Sequence, residues 1–221
     1  MPRRNRRRSA NHFPIAAILL TAAALTAGIA VILSPDPNIW FQRYGLVPGT
    51  FWSDDGIPWY RSREWLTPVT ALFLHLDWLH LFGNLAFFWL FAQRIERRTG
   101  ALWFLILVLG CGALANLVSA WRFPASASPV IGASGATAAL LGAFLVLDPT
   151  ARLGIILPLG LYWQLVRVPG IALIGSWFLL QVLYTVSSTR VEEIAWWSHI
   201  GGFLAGFILA ALGRVTRSMQ R

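Results

Sequence analysis

The sequence has little charge and no lysine. Of its 221 residues only 12% are charged and 57% are hydrophobic, and all 18 basic residues are Arg. A water-soluble protein of this size needs a larger polar surface, so the composition indicates a chain that crosses a membrane several times. No stretch is long and polar enough to form a separate soluble domain.

Cysteine is nearly absent as well. Cys111 is the single cysteine, which excludes an intramolecular disulfide. It lies in an apolar run and is interpreted as a small core residue. The net charge of +9 does not indicate nucleic-acid binding, because the Arg residues are distributed as membrane topology requires.

Apolar runs bounded by Pro or by charged residues predict an all-α membrane protein, a bundle of six transmembrane helices. The residues from 152 to 166 are apolar but broken by Pro158 and Gly160, and are interpreted as a re-entrant or interfacial piece. A basic tail, residues 1–14, is expected to be disordered, and a second basic tail covers 214–221. The predicted spans are 15–33, 69–92, 101–120, 134–147, 169–186 and 195–213.

The distribution of Arg predicts the orientation. Six spans place both ends of the chain on one side of the membrane, and thirteen of the eighteen Arg lie on that side. By the positive-inside rule both termini are expected in the cytoplasm. The lack of an added targeting domain favours a bacterial inner membrane.

Ser134 opens the fourth predicted span. A helix over 134–147 is roughly 21 Å long, whereas the hydrocarbon core is about 30 Å thick. Asp148 fixes one end of this helix at water, so the end with Ser134 is expected to lie below the opposite surface. Gly132, Ser134 and Gly135 are also common packing residues between membrane helices, and taken alone this stretch favours packing over chemistry.

Ionisable residues inside a membrane are costly and indicate function. Ser134, His80 and His199 lie 14, 14 and 15 residues from the charged residue that ends each span on the cytoplasmic side. All three spans run in the same direction in the predicted topology. One hydroxyl and two imidazoles are therefore expected in one layer, roughly 21 Å above the cytoplasmic face.

Two further polar residues lie near His80. Asn84 follows it by one helical turn and shares its face, as a second hydrogen-bond donor or as a packing residue between helices. His75 precedes His80 by five positions, so it is expected to point off that face, nearer the surface, and to make a structural hydrogen bond or line the cavity.

Gly202 and Gly206 lie on the same face of the sixth span as His199. Small residues there would let the fourth span approach closely, bringing His199 within the roughly 2.6–3.2 Å of Ser134 that a base and a nucleophile require. No Asp or Glu lies at this depth, so a Ser-His dyad is the simplest interpretation. Three His could hold zinc, but no paired-His motif supports it, and no metal or cofactor is expected.

With these residues in place, the chain resembles the rhomboid family of intramembrane serine proteases over about 60–213. The motifs that carry the resemblance are His75-Leu76-Asp77-Trp78-Leu79-His80 with Asn84, then Gly132-Ala133-Ser134-Gly135, then His199-Ile200-Gly201-Gly202-Phe203-Leu204-Ala205-Gly206.

The resemblance implies a role for each residue. Ser134 would be the nucleophile, and His199 the general base and later the acid. His80, Asn84 and the Ser134 backbone N–H would form the oxyanion hole, and the residues expected to line the site are His75, Gly132 and Gly135. Two features depart from the family pattern: Ala138 stands where many bacterial members have an aromatic residue, and Arg63-Glu64-Trp65 replaces a Trp-Arg pair in the first loop.

The expected activity is hydrolysis of a peptide bond in or next to the transmembrane segment of a membrane-protein substrate. The active site is expected to open to the outer face, because the reaction needs water. Two alternatives remain open: a non-catalytic rhomboid-like protein that binds membrane helices in quality control, and a small transporter, for which charged pairs or repeats would be needed.

Overall fold

The computed structural model describes residues 13–53, 63–159, 162–187 and 193–219. The basic tail predicted for 1–14 lies almost entirely outside these residues, as do 54–62 of the first loop, the loop at 188–192 and the last two residues. The described chain is mostly helical. Its helices are α1 (Ile15–Ile32), α2 (Pro37–Tyr44), α3 (Pro48–Phe51), α4 (Thr67–Thr70), α5 (Trp78–Thr99), α6 (Ala101–Leu105), α7 (Cys111–Arg122), α8 (Ser134–Leu147), α9 (Gly170–Ser187) and α10 (Glu193–Met219).

Each predicted span contains a helix, but the helices differ in length. Among the described residues, Ile15–Ile32, Ala101–Arg122 and Trp196–Arg214 are long and apolar enough to cross a bilayer unaided. The second of these joins α6 to α7 through a π-helical turn, Ile106–Gly110. A fourth candidate is a bent pair of helices that ends in α5, while α8 and α9 are shorter apolar helices. The count of six spans therefore stays a prediction.

The second span is not the single helix predicted over 69–92. Short helical turns end at Phe73, and α5 starts at Trp78 with a bend of 85° between the two parts. The Asp77 carboxylate accepts a hydrogen bond from the His80 N–H at 2.8 Å, which caps the new helix start. His80 consequently lies in the first turn of α5 rather than in the middle of a long helix.

The segment after α8 is a β-hairpin, so the all-α prediction is wrong for this part of the chain. Strands β1 (Arg152–Leu159) and β2 (Tyr162–Pro169) pair antiparallel. Pro158 cannot sit inside a helix without breaking it, whereas the outer strands of a small sheet tolerate proline. Tyr162 and Trp163 are strongly exposed, as suits aromatic side chains at a bilayer surface.

The core of the fold is the contact between α8 and α10, the most extensive helix pair in the structure. The residues of α8 from Ser134 to Phe144 are all buried. A Cβ atom on Gly202 would strike the Gly135 carbonyl, and a Cβ atom on Gly206 would strike the Ala139 backbone. The two helices thus touch backbone to backbone, which only glycine permits at these positions.

The three helices that carry Ser134, His80 and His199 end close together. Arg94 of α5 pairs with Asp148, which follows α8, at 2.5 Å. Arg214 of α10 donates a hydrogen bond to the carbonyl of Val146 in α8 at 2.8 Å. These contacts bring together the charged ends from which the depths of the three side chains are counted.

A buried carboxylate ties α1 to α5. Glu96 is buried and accepts hydrogen bonds from the N–H groups of Ala16 and Ala17 at 3.0 and 2.7 Å. These two amides belong to the first turn of α1, where no residue of the helix itself can accept them. The carboxylate also lies at the positive end of the α1 dipole.

Replacing Gly206 by Ala should destabilise the fold by about 1 to 3 kcal/mol, because the new methyl group must push α8 away. The measurement is unfolding of the purified protein in detergent. Gly83→Ala in α5 is the matched control, since a Cβ there meets nothing within 4 Å. Equal losses for the two variants would contradict the close contact.

Replacing Glu96 by Ala should cost about 1 to 3 kcal/mol for each buried amide left without an acceptor. Glu96→Gln keeps one carbonyl oxygen and should therefore fall between Glu96→Ala and the wild type. Detergent unfolding again gives the ranking. An unchanged unfolding midpoint in Glu96→Ala would mean that the carboxylate does not hold α1.

Candidate active site

The loop before Ser134 is fixed by its backbone. The Gly132 N–H donates a hydrogen bond to the Ala71 carbonyl at 2.8 Å, and Gly132 has a φ of 110°, a conformation that residues with side chains rarely adopt. α8 then begins at Ser134 without a side-chain cap. Its first amides are therefore available as donors, at the positive end of the helix dipole.

His80 and Asn84 lie on one side of this loop. A Cβ atom on Gly132 would lie 2.8 Å from His80 Nε2 and 3.6 Å from Asn84 Nδ2. Gly132 is thus required both by its φ and by the side chains beside it. Asn84 is buried, and its Nδ2 has no hydrogen-bond partner among the described residues. An unpaired buried donor is unusual in a folded protein and indicates a place for an acceptor.

The proton on His80 can be assigned from its contacts. The Leu76 N–H donates to His80 Nδ1 at 3.3 Å, so Nδ1 acts as the acceptor. In a neutral imidazole the other nitrogen, Nε2, then carries the hydrogen. This N–H lies beside Gly132, next to the Asn84 amide, and the two donors converge on the loop that leads to Ser134.

His75 is fully buried inside the protein. Its ring centroid lies 5.1 Å from that of His80. Nδ1 lies 3.3 Å from the Phe73 carbonyl, and the Ala133 N–H donates to Nε2 over a long 3.5 Å. His75 lies in the break between Phe73 and Trp78, so helical spacing does not apply to it.

The other side of the Ser134 loop faces the start of α10. A Cβ atom on Gly135 would lie 2.6 Å from Ser198 Oγ. The Ser198 hydroxyl donates to Asn116 Oδ1 at 3.3 Å, and Asn116 Nδ2 donates to the Pro68 carbonyl at 2.9 Å. This buried chain of hydrogen bonds fixes the turn of α10 that carries the next residue, His199.

Sequence reasoning missed Asn116 and Ser198. Both are polar residues within predicted apolar spans, and this was the signal that could have found them. It also missed Trp177, which packs against His199. A Trp in an apolar helix gives no signal in the sequence until the residue that it contacts is known. Arg63-Glu64-Trp65, noted above as a departure from the family pattern, lies at the helical turn before α4. Trp65 is half exposed there.

His199 and Ser134 are nearly closed off from solvent, with 4% and 8% of their surface exposed. Neither ring nitrogen of His199 has a hydrogen-bond partner among the described residues, so the expected bond from Ser134 is not formed. For the same reason, no carboxylate among the described residues is hydrogen-bonded to His199. Its ring packs instead against the rings of Trp177 and Trp196, at centroid distances of 5.1 and 6.3 Å.

The donors of His80 and Asn84 lie beside Gly132, and Ser198, the residue before His199, lies beside Gly135. Donors that converge beside a hydroxyl can stabilise negative charge developing on a carbonyl oxygen. An imidazole without a fixed partner can accept a proton. No group of three or more metal-ligating side chains converges within the described part of the chain.

The contacts predict opposite tautomers for two neighbouring histidines. His80 should carry its hydrogen on Nε2, whereas His75 should carry it on Nδ1, where the Phe73 carbonyl accepts it. ¹⁵N NMR of the ring nitrogens in histidine-labelled protein distinguishes the two forms. Finding the same tautomer at both residues would contradict this hydrogen-bond arrangement.

The Rhomboid domain family profile matches residues 62–215, more than half of the chain. A Bacillus subtilis (strain 168) protein described as "Putative rhomboid protease YdcA" is 34% identical over 151 residues, covering 68% of each chain. An Arabidopsis thaliana protein, "Rhomboid-like protein 11, chloroplastic", is 26% identical over 161 residues, covering 67% of this chain and 52% of the plant protein. The chain spans about half the length of the plant relative.

Proposed function

The chain belongs to the rhomboid family, and we propose that it is an intramembrane serine endopeptidase that uses a Ser134–His199 dyad. It is an integral membrane protein. Its substrates would be single-span membrane proteins, cut in or near their transmembrane segment. We further propose that both termini lie in the cytoplasm, that the site opens to the outer face, and that the membrane is a bacterial inner membrane.

One observation carries the proposal: on either side of Ser134, Gly132 lies beside His80 and Asn84, and Gly135 lies beside Ser198, the residue before His199. In the proposed reaction the Ser134 hydroxyl attacks the carbonyl carbon of the scissile bond, and His199 takes the hydroxyl proton. The negative oxygen of the tetrahedral intermediate would accept hydrogen bonds from His80 Nε2, Asn84 Nδ2 and the Ser134 N–H.

The second half of the reaction follows by proton balance. His199 gives its proton to the leaving amine, which departs and leaves an ester on Ser134. Water, deprotonated by His199, then attacks this ester and releases the acid product. The proposed dyad needs no carboxylate.

Access by water and substrate requires the site to open, because Ser134 and His199 are almost fully buried. A substrate helix must also unwind before its carbonyl can reach Ser134, since helical carbonyls are already hydrogen-bonded. Helix-weakening residues near the scissile bond should therefore favour cleavage. We also propose a small residue before that bond.

The test is cleavage of a fluorogenic transmembrane substrate by the purified protein in detergent. Ser134→Ala and His199→Ala should reduce cleavage to background, and a fluorophosphonate should label Ser134 of the wild type. Loss of one oxyanion donor, as in His80→Ala or Asn84→Ala, should lower turnover about 10²- to 10³-fold.

Ser176→Ala is the matched control, because among the described residues the Ser176 hydroxyl donates within its own helix, to the Leu173 carbonyl. It should keep the wild-type rate. Cleavage that survives Ser134→Ala would reject the dyad. A wild-type protein that neither cleaves nor becomes labelled, yet binds transmembrane helices, would favour the non-catalytic rhomboid-like binder.

A further inference from the structure

The imidazole of His199 is held by rings rather than by hydrogen bonds. Both of its nitrogens lack a hydrogen-bond partner among the described residues, although the side chain is almost fully buried. A histidine that must take a proton from one defined hydroxyl needs a defined ring position. Something other than a polar contact must therefore set that position.

The helix that carries Ser134 supplies no ring for this purpose. Its residues from 134 to 143 contain no aromatic side chain, and Phe144 is its first. Small residues such as Gly135 and Ala139 allow α10 to approach closely. The same small residues leave the His199 ring without an aromatic neighbour from α8, and Ala138 is one of them.

Trp177 of α9 fills this role. Its ring is 1% exposed and lies against the His199 ring at a centroid distance of 5.1 Å and an interplanar angle of 67°. This edge-to-face arrangement is a favourable geometry for two aromatic rings. Trp196 is farther away, at 6.3 Å, and lies on the same helix as His199, so it cannot fix α10 from outside.

We propose that Trp177 is a positioning residue that sets the ring orientation of His199, and that catalysis therefore depends on where α9 lies. This inference rests on the proposed dyad. From 170 to 183, the buried residues of α9 are Gly170, Leu173, Ile174 and Trp177, and most of the others are exposed. A shift of α9 away from α10 would withdraw the Trp177 ring and release the His199 imidazole.

The chain provides a matched control in the next residue. Phe178 also connects α9 to α10, because its ring lies 5.4 Å from that of Phe203. Its aromatic contacts are to Trp177 and Phe203. Trp177→Leu and Phe178→Leu therefore both remove an aromatic contact between the same two helices, but only the first removes the contact with His199.

Kinetics with the transmembrane substrate give the first readout. Trp177→Leu should lower kcat about tenfold, as expected for losing one aromatic pair in the transition state, with little change in KM. The rate of fluorophosphonate labelling of Ser134 should fall in parallel. Trp177→Phe, which retains a ring, should recover most of the rate, and Phe178→Leu should keep the wild-type kcat.

Histidine-selective ¹⁵N NMR gives a readout that does not depend on activity. Only four histidines are present, and the His199 signals can be assigned by their loss in His199→Gln. These signals should be single and narrow in the wild type and in Phe178→Leu. In Trp177→Leu they should split or broaden, because the ring exchanges between rotamers.

Two results would overturn the inference: equal loss of kcat in Trp177→Leu and Phe178→Leu, or unchanged His199 signals in Trp177→Leu. If the wild type shows no cleavage and no labelling, the proposed protease function fails, while the NMR comparison still decides whether Trp177 orders His199. Trp177→Met, which fills more of the space without a ring, replaces Trp177→Leu if the latter does not fold.

Discussion

The backbone contact between α8 and α10 is the constraint on which the rest of the structure depends. Lipid offers no hydrophobic driving force between helices, so close packing must supply the attraction. Gly202 and Gly206 allow this approach because a side chain on either would strike the backbone of α8. The same contact brings Gly135 against the turn of Ser198 and His199. The contact that holds the fold together thus also holds together the two helices that carry Ser134 and His199.

Around that contact, irregular backbone segments position the polar side chains. The break before Trp78 turns His75 inwards, and the positive φ of Gly132 directs the loop past His80 and Asn84 into α8. Irregular segments are tolerated at membrane depth only where protein covers them and their polar groups find partners. His75, which accepts the Ala133 N–H, is one such partner. The polar side chain of His75 therefore stabilises the loop before Ser134.

A good part of the fold could be predicted from composition and pattern. Family membership followed from three ordered motifs and is confirmed. The helix over 134–147 has the predicted bounds, because Asp148 and Pro149 end it. The hairpin was not predicted, since apolar strands and apolar helices look alike by hydropathy. The break in the second span was not predicted either, because the apolar run continues through it and the helix starts only at Trp78.

The sequence by itself determined which residues can occupy the membrane, because this follows from the free energy of transfer of each side chain. For the same reason it determined which polar residues in the spans indicate function. It also identified Gly as the residue for close helix contacts. Only the tertiary structure decided which rings and amides surround those groups. Trp177 lies 22 positions before His199 in the sequence, and Asn116 lies 82 positions before Ser198. Such pairs meet because helices pack, and packing depends on the whole set of side chains rather than on any local pattern.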